Sequence, residues 1–138
     1  MMHILYAQLT KLNSLFLLIA RICIGGVFIQ SGWGKFMFLD RTVEFFTSLG
    51  IPAASIQAPF VAGVEVLCGS LILLGLFTRI ACLPLVGTMI VAILTTQLND
   101  LASWRDFFSI SEFAYICILL LLASSGAGKI SLDARISV

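Results

Sequence analysis

With 138 residues, 60 % of them hydrophobic and 11 % charged, against about 25 % charged in an ordinary soluble domain, the chain carries more apolar surface than a soluble core of this size can hide. A net charge of +1 with a single histidine and no basic cluster excludes nucleic acid as a partner. The lipid bilayer is the partner this composition demands, and the length suits one membrane domain over residues 1–138.

The first apolar span covers about residues 12–34 and contains Arg21. It is too long for a secretory signal and ends in "GWGKF" rather than a small-residue cleavage site, so it is expected to stay in the mature protein. A second span is predicted at about 55–77, with Pro59 in its first turn, where a missing N–H is tolerated. The third, about 80–98, carries no charge and again has a proline, Pro84, near its start. The last, about 111–125, is shorter and continuous with "FFSISEF". Each is near the roughly 20 residues that cross a hydrocarbon core. The expected fold is all-α, an integral membrane four-helix bundle.

A short interfacial amphipathic helix is expected between spans one and two. In "DRTVEFFTSLGIP", Asp40, Glu44 and Thr47 share one helical face and Leu39, Val43 and Phe46 an adjoining one, with Gly50 and Pro52 as the stop. The loop before the last span, "NDLASWRDFF", carries Trp104, Phe107 and Phe108, the aromatic composition of headgroup depth. Lys11, Arg79, Lys129 and Arg135 then fall at one end of the bundle, and Lys35, Arg41 and Arg105 at the other. Four cations against three predict both termini in the cytoplasm.

A charge at mid-helix costs roughly 2.5–3.5 kcal/mol on insertion scales unless it faces the bundle and is paired. Arg21 and Lys35 are 14 residues apart, which returns to within about 40° of one helical face. Gly25, Phe28 and Gly32 lie in the same stripe. Glu65 sits in the second span with Gly69 one turn beyond, and Glu112 enters the fourth from the side where Lys35 leaves the first. With the span ends aligned, Glu65 lies about 14 Å and Arg21 about 20 Å below the same boundary, a gap that a long arginine can bridge. The expectation is a polar cluster of Arg21, Lys35, Glu65 and Glu112 in the half of the bundle away from the termini. Two readings stand side by side. One is a fixed Arg21–Glu65 salt bridge that sets helix register, with Lys35 snorkelling to the headgroups. The other is a ligand-binding site formed by all four residues, with Glu65 and Glu112 handling protons.

Gly25, Gly32, Gly69 and Gly75 are read as points of close helix approach, and Thr88, Thr95, Thr96 and Gln97 as interhelical hydrogen-bond donors, with cavity lining as the alternative for the latter group. Cys23, Cys68, Cys82 and Cys117 fall one per span, without CxxC or metal-site spacing, and are read as buried core residues. There is no flavin, haem, iron–sulfur or other metal fingerprint.

Taken in order, Arg21 followed by Gly25, "GWGKF" with Gly32 and Lys35, "LGIP" with Gly50 and Pro52, "GVEVLCGSLILLGLFTR" with Glu65, Gly69, Gly75 and Arg79, and Glu112 ahead of "GAGKISLD" resemble the DoxX family of bacterial four-helix membrane proteins. The correspondence runs from about Arg21 to Asp133, and order and spacing carry it rather than any single piece. The resemblance implies a multi-pass protein of the bacterial inner (plasma) membrane. It also implies an association with redox chemistry. Family members are linked to quinone-coupled oxidation of reduced sulfur compounds, as a subunit of a thiosulfate:quinone oxidoreductase, and to membrane assemblies that handle oxidative stress.

On that reading the chain is a membrane subunit with an intramembrane polar site, and its electrons pass through a diffusing quinone or a redox partner protein. The alternatives are a non-catalytic anchoring module whose buried charges are structural, and a small-anion transporter. Four spans are few for alternating access in one chain, so a transporter implies a homo-oligomer.

Overall fold

An apolar run without proline propagates as a single helix. In the computed structural model, which describes residues 1–98 and 101–136 apart from the side chains at positions 3, 5, 7, 10 and 11, α1 (Met2–Met37) is continuous over 36 residues. Its membrane-crossing part is Leu12–Met37, longer than expected at its far end. The Lys11 side chain, and Asn99 and Asp100 of the aromatic loop, lie outside the described residues.

The chain turns at Phe38 and forms the amphipathic helix α2 (Leu39–Ser48). Phe46 is buried there and packs, with Leu39 and Val43, on Ala54 and Ala58 at the start of α3 (Ala54–Leu74). Gly50, at φ +74°, supplies the left-handed turn between the two, a conformation glycine adopts without steric cost. After Gly75 and Phe77 the chain reverses into α4 (Thr78–Ala92), which runs on through a π-helical turn, Ile93–Gln97. A capping box of Ser103 and Asp106 opens α5 (Trp104–Ser109). The apolar α6 (Ser111–Ser125) and the short α7 (Leu132–Ile136) follow.

Three segments, Leu12–Met37, Ala54–Leu74 and Thr78–Gln97, are long and apolar enough to cross a bilayer. The fourth expected span is the 15-residue α6, about 22 Å long against a hydrocarbon core of about 30 Å. The protein is thus a helical membrane protein with three full-length spans and a shorter apolar helix packed beside them. Pro59 corrects the first-turn expectation, and Pro84 lies near the start of its helix as expected. Both lie in the second turn of their helices, because α3 and α4 begin directly after the turns at Ala53 and Phe77. Each proline therefore removes an internal helical hydrogen bond.

The core is built on the antiparallel contact of α1 with α3. A Cβ on Gly25 would lie 2.8 Å from the Gly69 carbonyl oxygen, and one on Gly32 would lie 2.6 Å from that of Ala62, so the two backbones touch where side chains are absent. Leu17, Ile24, Phe28, Ile72, Leu85, Leu119 and Leu122 fill the space between these helices, α4 and α6. Cys68 and Cys82 join this core, but Cys23 and Cys117 are exposed on the outer face of the bundle. Cys23 is two residues, or about 200°, round the helix from Arg21, which turns it away from the packed stripe. The threonines also differ from expectation. Thr88, Thr95 and Thr96 donate to the Leu85, Val91 and Ala92 carbonyls of their own helical segment rather than across to a neighbour.

Candidate functional site

Side chains on a helix lean toward its N-terminus, and this decides where the two cations of α1 go. Arg21 leans toward the end of the bundle that holds the termini. It is 2 % exposed. Its Nε donates to the Ile72 carbonyl at 3.0 Å and Nη2 to that of Leu73 at 3.0 Å. Nη1 donates to Ala127 at 2.9 Å and to Ile130 at 2.7 Å. The last carbonyls of α3 have few helical partners of their own, and the guanidinium ties them to the loop that follows α6. Arg21 therefore neither pairs with Glu65 nor joins the expected cluster. The glycine contacts explain why: a Cβ on Gly32 would lie 2.9 Å from Glu65 Cβ, so Glu65 faces α1 at Gly32. That is eleven residues, about 16 Å, from Arg21, and Arg21 leans the other way. Alignment by span ends puts Glu65 several residues closer to Arg21 than it is.

Lys35 leans toward Glu65. Its Nζ lies 2.6 Å from Glu65 Oε2, the ion pair formed among the described residues, and donates to Ser31 Oγ at 2.7 Å. The Lys35 side chain is 25 % exposed and that of Glu65 2 %, so the pair joins a buried carboxylate to a partly accessible ammonium. Lys35 turns inward instead of snorkelling to the headgroups.

This pair lines a cavity of about 720 Å³ between α1, α2, α3, α4 and α6, and Glu112 lines the same space. Phe28, Phe46 and Tyr115 form part of its wall, the first and last in edge-on contact with ring centroids 6.1 Å apart. Phe45, Phe60 and Val91, at 51 %, 69 % and 49 % exposure, place part of its lining at the outer surface of the bundle. Of the four predicted site residues the structure thus brings three together, Lys35, Glu65 and Glu112, and places Arg21 elsewhere. Thr95 and Thr96 of the π-helical turn also line the cavity, and π-helical turns recur at functional sites. Ser31 and Tyr115 were missed. Each lies one helical turn from a residue already singled out, Lys35 and Glu112, and that spacing was the available signal.

At the terminal end Asp133 docks under the bundle. Its carboxylate accepts from the Phe77 N–H at 2.7 Å and the Thr78 N–H at 3.1 Å, which caps α4 and holds Phe77 at φ +49°, a conformation unfavourable for a bulky residue. The Asp133 N–H donates to the Gly75 carbonyl at 2.8 Å. Among the described residues, no three His, Cys, Asp or Glu side chains converge as a metal site would require.

Comparison with known proteins places this architecture. A profile described as DoxX matches residues 16–98. The chain is 37 % identical to "Uncharacterized membrane protein Rv3486" of Mycobacterium tuberculosis, over 85 % of this chain and 78 % of that one. It is 34 % identical to "Putative oxidoreductase CatD" of Bacillus subtilis, over 84 % and 83 %. It is 35 % identical to "Inner membrane protein YphA" of Escherichia coli, over 86 % and 89 %. No solved structure matches the chain significantly. By profile and by relatives alike, the chain belongs to the DoxX family of membrane proteins.

Proposed function

We propose that this protein is a membrane subunit serving redox chemistry in the bacterial inner membrane, with both termini cytoplasmic. In this reading the cavity ending on Lys35, Glu65 and Glu112 receives the headgroup of a neutral, lipid-soluble carbonyl compound of the quinone class. The observation that carries it is the cavity itself: aromatic-walled, bordered by lipid-facing side chains, and ending on one ammonium and two carboxyl groups. Its size, about 720 Å³, falls within the roughly 300–1,000 Å³ of small-molecule sites. The rings of Phe28, Phe60 and Tyr115 suit a planar ligand ring. The Lys35 ammonium supplies a donor for a ligand carbonyl, and Glu65 and Glu112 are placed to hold or pass a proton. A redox partner protein gives or takes the electrons. The oxidoreductase name of the Bacillus subtilis relative supports the redox association.

With Arg21 withdrawn to the other end, the cavity holds two carboxyl groups against one ammonium. That balance favours a neutral ligand over a small anion and argues against the anion-transporter reading. The test is extraction of lipid-soluble molecules from the detergent-purified protein followed by chromatography. The wild type should retain a quinone, or take one up when it is added, and Lys35→Gln should retain about tenfold less. A wild type that neither carries nor takes up a quinone overturns the proposal.

A further inference from the structure

A second recess, of about 680 Å³, opens at the end of the bundle that holds the termini. Its walls are the start of the apolar part of α1, the first turn of α4 and the loop that follows α6. Three apolar helical segments begin or end at its edge: Leu12–Met37, Thr78–Gln97 and Ser111–Ser125. It therefore lies at headgroup depth whichever way the chain is oriented.

The polar groups of this recess are unevenly matched. Arg79 and Lys129 line it and are exposed, and neither forms an ion pair among the described residues. Asp133, the acid beside them, has both carboxylate oxygens engaged by the backbone N–H groups of Phe77 and Thr78. Thr78, also in the wall, is 0 % exposed, and its hydroxyl is the buried side-chain polar atom left without a hydrogen-bond partner among the described residues. Just below the recess, Ile80 and Leu83 are 67 % and 60 % exposed, an apolar track on the lipid-facing side of α4.

We propose that this recess is a headgroup site for an anionic phospholipid. The phosphate diester sits between Arg79 and Lys129, and the acyl chains run along Ile80 and Leu83. The apolar track selects a lipid phosphate over free phosphate, which would gain nothing from it. Interfacial cations of this kind attract anionic lipid. The site is separate from the Lys35–Glu65 cavity and stands or falls independently of it.

The experiment is native mass spectrometry of the full chain in detergent with equimolar phosphatidylglycerol and phosphatidylcholine. The wild type should retain one phosphatidylglycerol in preference to phosphatidylcholine. The Arg79→Gln/Lys129→Gln double variant should bind it roughly thirty-fold more weakly with an unchanged unfolding temperature in lipid-free detergent. Arg41→Gln, which removes an interfacial cation at the other end, should retain it as the wild type does. Equal retention of the two lipids, or unchanged retention in the double variant, would overturn the proposal. Displacement of the lipid by millimolar inorganic phosphate would also overturn it, by showing a free-phosphate site.

Discussion

Arg21 and Lys35 occupy the same helix and nearly the same face, yet their surroundings differ in kind. Around Arg21 each guanidinium nitrogen donates to a carbonyl, the residue is 2 % exposed, and the guanidinium clamps the end of α3 to the loop after α6. Around Lys35 one carboxylate and one hydroxyl are in reach, a second carboxyl lines the same space, and the rest is cavity. A buried charge that is fully satisfied holds a fold, whereas one beside open volume leaves capacity for a ligand. The buried charges thus divide between the two ends of the bundle: Arg21 is structural without pairing with Glu65, and Lys35 and Glu65 line open volume.

Five substitutions test this contrast. The largest effect is expected from Arg21→Gln, which takes the guanidinium donors from the buried or partly buried carbonyls of Ile72, Leu73, Ala127 and Ile130. A loss of at least about 3 kcal/mol is expected, read as a collapse in monodisperse yield and unfolding temperature. Arg21→Lys should recover little, because a single ammonium cannot reach as many separated carbonyls as the guanidinium fork. Next is Gly25→Ala, whose new Cβ would meet the Gly69 carbonyl oxygen at 2.8 Å; forcing α1 from α3 should cost about 1–3 kcal/mol in thermal unfolding. Lys35→Gln leaves the buried Glu65 carboxylate a neutral amide donor in place of its ammonium and should cost about 1–3 kcal/mol, less than Arg21→Gln, while ligand retention falls about tenfold. Asp133→Ala removes both acceptors from the start of α4 and should cost about 1 kcal/mol in the same unfolding measurement.

Much of the frame was legible because it rests on local pattern. The apolar runs marked the helices, the Leu39, Val43 and Phe46 stripe marked α2, and the small-residue positions on α1 and α3 marked their contact. The partners of Arg21 were not legible. They are backbone carbonyls, which every residue carries, so no side chain advertises them. The sign that was present is Gly75, a helix stop whose preceding carbonyls lack helical donors and so suit a nearby cation. That Lys35, Glu65 and Glu112 line one cavity followed from depth, but the choice of Lys35 over Arg21 as the partner of Glu65 needed the lean of helical side chains and the true register. Helix ends were the weak point, since α3 and α4 begin at left-handed turns on Ala53 and Phe77, residues that do not favour that conformation. Asp133, distant in sequence, helps to hold the second of these.

The most direct test compares thermal unfolding of the wild type, Arg21→Lys and Lys35→Gln, each with and without an added short-chain quinone. Arg21→Lys should start from the lowest unfolding temperature of the three but keep the quinone-induced rise, whereas Lys35→Gln should start above Arg21→Lys and lose the rise. A quinone response lost in Arg21→Lys and preserved in Lys35→Gln would contradict the division of the molecule into a clamped end and an open one.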